Sequence, residues 1–362
     1  MTRPLASPMG GLEETTAESA DPPRQGPIGL EQLGIRPRDR VLVLGGYGVR
    51  NVGDEAILSG LLSRLPPGVQ VKVISRSPAE TSALHGIPAA SPATALPLLL
   101  RTDALIVGGG GLFSGHMGPY ARLIPIFGLL AAVRGARVAL LGVGVYASTP
   151  GWVLSSLDRL APRLASFTVR DTVSLETLRR RGIKAELAPD FSDLITPGSR
   201  EKGRELLRSA GVEEGRPVVG LCLTAAEPRL EEQVLQETPA VIEAFPEAQF
   251  CFVPMSQHPS VKRQNDLELA RRLRQRAPAL AILEGWHHPA AVLAVFGLLD
   301  AAVCMRYHSL LFAARAQVPI VPLPYSAKCE SWLREHGLEG NGLTAEAIVQ
   351  RLEATMPAGR AT

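Results

Sequence analysis

The sequence predicts an α/β protein of two doubly wound, Rossmann-like domains facing a cleft. Three observations predict it: short apolar β-type runs alternate with longer amphipathic ones, each short run ends at Gly, Ser, Arg or Pro, and the rhythm stops at one polar stretch before restarting. At 362 residues, 46% hydrophobic and 20% charged, the chain is too long for one ordinary domain and too apolar for disorder.

Residues 1–28 are rich in Pro, Gly, Ser and Thr and hold no secretory apolar core, so they read as a disordered tail and folding is expected to begin near Gly29. Strands are expected at residues 40–44 (RVLVL), 69–75, 104–107, 138–142, 166–169 and 185–187. Between them, residues 54–65 (DEAILSGLLSRL), 117–134 and 172–181 repeat apolar side chains at helical spacing. The polar segment 195–204 (ITPGSREKGR) reads as the boundary between a first domain over 29–198 and a second over 199–353. Beyond it, strands at 218–223, 249–253, 279–283, 301–305 and 320–323 alternate with helices at 231–245, 266–276, 289–298 and 309–316, and 354–362 reads as a tail. In such sheets ligands lie beyond the carboxyl ends of the strands, so those ends are where chemistry is sought.

Lys and Arg total 38 against 35 Asp and Glu, interspersed, which leaves no overall field of the kind nucleic-acid binding requires. Cys222, Cys251, Cys304 and Cys329 lie far apart with no C-x-x-C pair, and read as buried reduced thiols of a cytoplasmic protein. The longest apolar run, residues 123–133 (LIPIFGLLAAV), is too short to span a bilayer. Arg101, Arg122, Arg134 and Arg137 flank apolar stretches and suit either anionic headgroups or solvated helix faces, leaving peripheral membrane contact open.

Four constellations carry possible chemistry. In residues 41–58 (VLVLGGYGVRNVGDEAIL) a strand runs through glycines to Asn51, Gly53, Asp54 and a helix, a turn able to present backbone N–H groups to an anion. The spacing is neither a dinucleotide fingerprint nor a Walker A loop. Asp54 reads as the helix N-cap, as a cleft carboxylate, or as both, with Asn51 a turn former. Residues 104–115 (ALIVGGGGLFSG) place four glycines after a buried strand, where Gly109 and Gly110 would leave backbone bare against a ligand. Arg170 stands at the tip of the strand in 167–178 (FTVRDTVSLETL); its planar fork suits phosphate or carboxylate, the alternative being an ion pair with Asp171 or Asp190. Finally, residues 301–333 deliver Arg306 and His308 at a strand end beside a helix N-terminus, and Lys328 after the next strand, a basic pocket opposite Arg170. His287 and His288 lack a carboxylate at ligand spacing and read as loop residues, and no metal is expected.

The runs GGYGVRNVGDEAIL, LIVGGGG, TVRDTVSLETLRRRGI, APDFSDL, FVPM and MRYHSLLFAARAQVPIVPLPYSAK together closely resemble the polysaccharide pyruvyl transferase family, nearest to its bacterial cell-wall branch, over about residues 40–335. The resemblance implies a GT-B-like pair of domains, phosphoenolpyruvate as donor and a sugar diol as acceptor, with no cofactor. In the cell-wall branch the acceptor is an N-acetylmannosamine residue on a lipid-linked precursor, whose 4,6-ketal anchors surface-layer proteins, so the reaction is expected at the inner face of the plasma membrane. Arg170 matches the family arginine that contacts the donor, His308 the histidine of the second-domain motif, and Lys328 a family lysine. Two stretches depart from the family pattern, GLFSGHMG at 111–118 and CLTAAEPR at 222–229, and both fall where the acceptor would be touched.

Phosphoenolpyruvate carries two anionic groups, so Arg170, Arg306 and Lys328 are the expected grip, each charge-assisted hydrogen bond being worth roughly 1.5–3 kcal/mol. His308 is the expected general acid and Asp54 the group that activates a sugar hydroxyl. Two other readings share these residues: a nucleotide-sugar glycosyltransferase of the same architecture, with Glu330 available for a donor ribose, and a non-catalytic sensor of a phosphorylated metabolite.

Overall fold

A computed structural model describes residues 29–115 and 117–356. The tail expected over 1–28 and the last residues, 357–362, lie outside the described residues.

The first sheet is built from β1 (Arg40–Leu44), β2 (Gln70–Ile74), β3 (Ala89–Ala90), β4 (Ala104–Phe113), β5 (Arg137–Val145), β6 (Ser166–Val169) and β7 (Glu186–Leu187), all parallel, in the order β3-β2-β1-β4-β5-β6-β7. Beyond an opening arginine, β1 and β5 are apolar because both faces of the sheet are covered. The crossovers are α1 (Val52–Leu62), α2 (Pro78–His85), α3 (Ala95–Leu99), α4 (Pro119–Val133), α5 (Gly151–Leu160) and α6 (Thr172–Arg179). One face packs Leu99, Ile124, Ala131 and Leu157. The other packs Leu33, Ile57, Leu61 and Phe191.

After residues 195–199, α7 (Arg200–Ser209) opens the second half, with Ser199 as its N-cap. A second parallel sheet follows: β8 (Val218–Cys222), β9 (Gln249–Phe252), β10 (Ala281–Ile282), β11 (Ala301–Cys304) and β12 (Ile320–Pro322), ordered β10-β9-β8-β11-β12. Its helices are α8 (Pro228–Glu243), α9 (Asp266–Arg276), α10 (Pro289–Phe296), α11 (Tyr307–Arg315), α12 (Ala327–Glu335) and α13 (Ala345–Thr355). All four cysteines are buried free thiols. Both sheets have the doubly wound order, in which the sense of strand addition reverses between the first and fourth strands, so their ligand crevices open beside β1/β4 and β8/β11.

Two expectations are corrected here. The strand expected at 104–107 continues to Phe113, so the glycines lie inside it and pair with β5, Gly108 opposite Leu141 and Gly110 opposite Val143. The segment 195–204 is not all linker: from Arg200 it is α7, whose glycine-203 face lies against Ala294 of α10. It reads as polar because only Gly203, Leu206 and Leu207 of that helix are buried.

The halves are joined by backbone. Val52 N–H donates to Met255 O (2.9 Å) and Gln257 N–H to Arg50 O (2.8 Å), an antiparallel bridge between the loop after β1 and the loop after β9. Val52 and Ala56 of α1 belong to a core cluster otherwise built mainly from the second domain. Arg315 reaches back from α11 to Ser192 O (3.0 Å) and to Ile195 O.

Candidate active site

The loop after β1 turns through Gly48 at φ 76°, where any Cβ would meet Ser75 Oγ and the backbone of Ser77. Asn51, not Asp54, is the N-cap: its Oδ1 accepts from Gly53 N (3.0 Å) and Asp54 N (3.2 Å). Of the alternatives open to Asp54 in the sequence, the cap is thereby corrected, and its carboxylate is free. Its carboxylate, one turn inside the helix, stands beside Gly46 and Gly110, where a Cβ would come within 3.3 and 2.8 Å of its oxygens. Burial pushes its pKa up to about 7, with Arg170 opposing, Glu55 adding and Lys328 opposing.

The next helical residue anchors the loop. Glu55 Oε1 accepts from Gly48 N (2.8 Å) and its Oε2 from His85 Nε2 (2.7 Å). His288 Nδ1 accepts from Ala290 N (3.2 Å), capping α10, which leaves its Nε2–H for Ser59 Oγ (3.4 Å); Ser59 then donates to His85 Nδ1 (3.2 Å). This directed relay ties α10 of the second domain to the Gly48 turn, so His288 is an interdomain anchor rather than a plain loop residue.

Arg170 leaves β6 almost wholly buried, 1% of its side chain exposed. Nη1 donates to Asp190 Oδ2 (2.9 Å), the guanidinium lies 4.6 Å above the Tyr307 ring, and Nε has no hydrogen-bond partner. Both ion pairs weighed in the sequence reading are therefore formed, the one to Asp171 Oδ2 a longer contact of 3.9 Å from Nε, and Asp190 Oδ2 also lies 3.7 Å from His308 Nε2. Burial would raise the Asp190 carboxyl, but His308 and Arg170 more than offset it and hold it well below the usual range. His308, in the first turn of α11, is wedged between Asp190 and Gly53. Burial lowers its pKa, Asp190 opposes, and the nearby Arg170 and Lys328 lower it further, so its imidazole is neutral at pH 7.

Arg306 departs from expectation. Nε and Nη2 each donate to an Asp266 oxygen at 2.6 Å, a bidentate pair that neutralises it. Asp266 also accepts from Ser256 N (2.9 Å), next to the interdomain bridge, so Arg306 braces the junction of the two domains. Lys328, the second residue of α12, is the cation without an ion-pair partner in this cluster among the described residues. Its Nζ lies 5.9 Å from the Tyr307 ring centre, and burial lowers its pKa, with Arg170 adding to the fall. A partly desolvated ammonium beside a guanidinium is a favourable place for an anion.

The structure thus brings Asp54, Arg170, His308 and Lys328 to one cleft between facing strand ends, with Gly53 beneath His308 and Asn51 holding the turn. Gly109 and Gly110 are buried instead of open: Ile57 occupies the space above Gly109 and Asp54 that above Gly110. The exposed glycine of the run is Gly111, 3.6 Å from Arg170 Nη2 by its would-be Cβ. Asp190, Tyr307 and Asp266 were not singled out as site residues by the sequence. Asp190 was findable, since it follows a short strand as Arg170 does; Tyr307 and Asp266 act through packing that no local pattern encodes. Glu330 is exposed on α12.

Fold and site together define a two-domain Rossmann-like α/β protein that gathers a carboxylate, an imidazole and an ammonium unpaired among the described residues, all half-buried, where its two sheets meet. The polysaccharide pyruvyl transferase family model matches residues 51–327, and the chain belongs to that family. The match begins at the cap residue Asn51 and stops one residue short of Lys328. No curated protein sequence matches the chain. Among solved structures the fold is similar to UDP-GlcNAc 2-epimerase from Neisseria meningitidis bound to UDP-GlcNAc (TM-score 0.58, 9% identity, 87% of this chain and 90% of that one). It is similar also to UDP-GlcNAc 2-epimerase from Methanocaldococcus jannaschii (TM-score 0.57, 12% identity, 89% and 93%). At these identities the likeness is one of fold.

Gly53 offers a local test. A Cβ there would sit 1.8 Å from His308 Nδ1, so Gly53→Ala must swing the ring away. Alanine favours the helix by up to about 1 kcal/mol. Turnover is expected to fall about 10²-fold from the misplacement while the melting temperature holds; an unchanged rate would show that the ring position is unimportant.

Proposed function

We propose that the chain transfers the three-carbon unit of phosphoenolpyruvate to two hydroxyls of a sugar as a ketal, releasing phosphate. The acceptor in this reading is the 4,6-diol of an N-acetylmannosamine residue on a lipid-linked cell-wall precursor, as the sequence resemblance implies. Lys328 carries the proposal: a half-buried ammonium with no ion-pair partner among the described residues, beside a guanidinium whose Nε makes no hydrogen bond, suits a ligand bearing both phosphate and carboxylate.

The chemistry needs a proton delivered to the enol carbon, which becomes the methyl group. One sugar oxygen then bonds to the adjacent cationic carbon, the C–O bond to phosphate breaks, and the second oxygen closes the ring. Of the two hydroxyl protons, one balances the new methyl hydrogen and the other leaves on phosphate. The pKa directions exchange the roles expected from sequence: Asp54, near half-protonated at neutral pH, is the proton donor, and neutral His308 is the base that receives a hydroxyl proton, with Asp190 stabilising the imidazolium.

Phosphate release on mixing phosphoenolpyruvate with a soluble N-acetylmannosaminide tests the reading. Lys328→Met should raise KM for phosphoenolpyruvate roughly tenfold to a hundredfold, the loss of one charge-assisted hydrogen bond. Stabilisation in a thermal-shift assay by a UDP-sugar but not by phosphoenolpyruvate, with no phosphate released, would replace this function by nucleotide-sugar chemistry.

A further inference from the structure

Helices α3, α4 and α5 lie side by side on one face of the first sheet and share a core. The inward side of α4 is Ile124, Pro125, Gly128 and Ala131, all buried. At 100° per residue, Leu123, Ile126, Leu130 and Val133 fall on the opposite side in a stripe about 80° wide. Leu123, Ile126 and Val133 are exposed, Val133 at 75%. Leu96 and Leu100 on and after α3, and Trp152 on α5 at 48%, extend the same surface. Six of the seven exposed large hydrophobic residues among those described are therefore on this one face, Val261 being the exception. A solvated helix face would be polar there, so this one is built to be covered.

Charge indicates what covers it. From residue 81 to residue 157 the chain holds a single acidic residue, Asp103, against Arg101, Arg122, Arg134 and Arg137. Asp103 is paired with Arg40 at 2.9 Å, and Arg137 with Asp39 at 2.6 Å. Arg101 and Arg134 form no ion pair among the described residues and border a hollow of about 380 Å³ beyond the end of α4, which the paired Asp39 and Asp103 also line. An apolar stripe with unpaired arginines at one end, where the neighbouring carboxylates Asp39 and Asp103 are already taken by Arg137 and Arg40, matches hydrocarbon beneath anionic headgroups. Trp152 suits the interface between the two. Because α4 and α5 start where β4 and β5 end, the stripe begins at the rim of the cleft.

We propose that the α3–α4–α5 face docks on an anionic lipid bilayer and places the cleft mouth at its surface. That this delivers a lipid-linked acceptor rests on the function proposed above; the docking does not. Co-sedimentation of the full chain with phosphatidylcholine vesicles, with and without phosphatidylglycerol, tests it. Binding is expected only with phosphatidylglycerol and to weaken with salt. Ile126→Glu with Val133→Glu should reduce the bound fraction at least tenfold while phosphate release with a soluble acceptor is unchanged. Arg101→Gln with Arg134→Gln, which leaves the apolar stripe intact, should weaken binding and flatten its salt dependence. Equal binding to neutral vesicles, undiminished binding by both double variants, or a solution dimer abolished by the glutamate pair would overturn the proposal. Absence of phosphate release by the wild type would defeat the proposed function while leaving the vesicle result to stand or fall alone.

Discussion

Asp54→Asn is expected to reduce turnover by about 10²–10⁴-fold, the usual contribution of a positioned acid or base, and at the same time to stabilise the protein at pH 8. The two effects share one cause. Asp54 titrates near 7 in the folded state because burial penalises its charge, against 3.8 ordinarily. Between those values the folded chain holds a proton that the unfolded chain has lost, so this group's contribution to stability declines as pH rises from about 4 to about 7. Asparagine removes the half-buried charge and with it the decline. Asp193, also pushed up to about 7 by burial, remains in the variant and keeps part of the slope.

Activity follows the same groups. Protonated Asp54 becomes scarce as pH rises through about 7, and neutral His308 becomes scarce as pH drops below its lowered pKa, beneath 6.5. A bell-shaped profile with its maximum between the two limbs is expected. His308→Ala should lose turnover by the same about 10²–10⁴-fold and abolish the acid limb of what remains. If Asp54→Asn retained the basic limb, the proton would have to come from elsewhere; a melting temperature at pH 8 no higher than that of the wild type would show that the carboxylate is not penalised as its surroundings imply.

Arg170→Ala is expected to destabilise the fold by about 3–5 kcal/mol, the cost of leaving a buried charge without its partner. Asp190 would keep only Ser192 N and the more distant His308 ring. From sequence, Arg170 at a strand tip suggested mainly a ligand contact whose loss would weaken donor affinity. Its 1% exposure and its bond to Asp190 make it a structural member of the site as well. Arg170→Lys keeps the charge but not the fork, so it should fold and bind phosphoenolpyruvate more weakly. Chemical denaturation separates the two roles: a stability loss below 1 kcal/mol in Arg170→Ala would mean Asp190 has found another partner.

Residues close together in the chain made much of this legible in advance. The alternation of apolar runs set most strands of both sheets within a residue or two, because a strand buried on both faces must be continuously apolar. Strand ends followed by glycine, arginine or histidine pointed to Asp54, Arg170, His308 and Lys328, since parallel sheets present their carboxyl ends to ligands. Polar helices were less visible: α7 and α12 each bury a few residues on one side, and their composition resembles loop.

What the sequence by itself determined was therefore the layered α/β plan and the kinds of side chain delivered to its crevices, because periodicity and strand-end position are local properties. Only the tertiary structure decided which charges remain available. Arg306 is satisfied by Asp266 forty residues away, Arg170 by Asp190, and Lys328 is left with neither hydrogen bond nor ion pair among the described residues. It also decided that Asp54, displaced from the cap by Asn51, holds its proton near neutrality. Pairing and desolvation depend on distances between chain segments, and those distances exist only once both sheets are packed and joined.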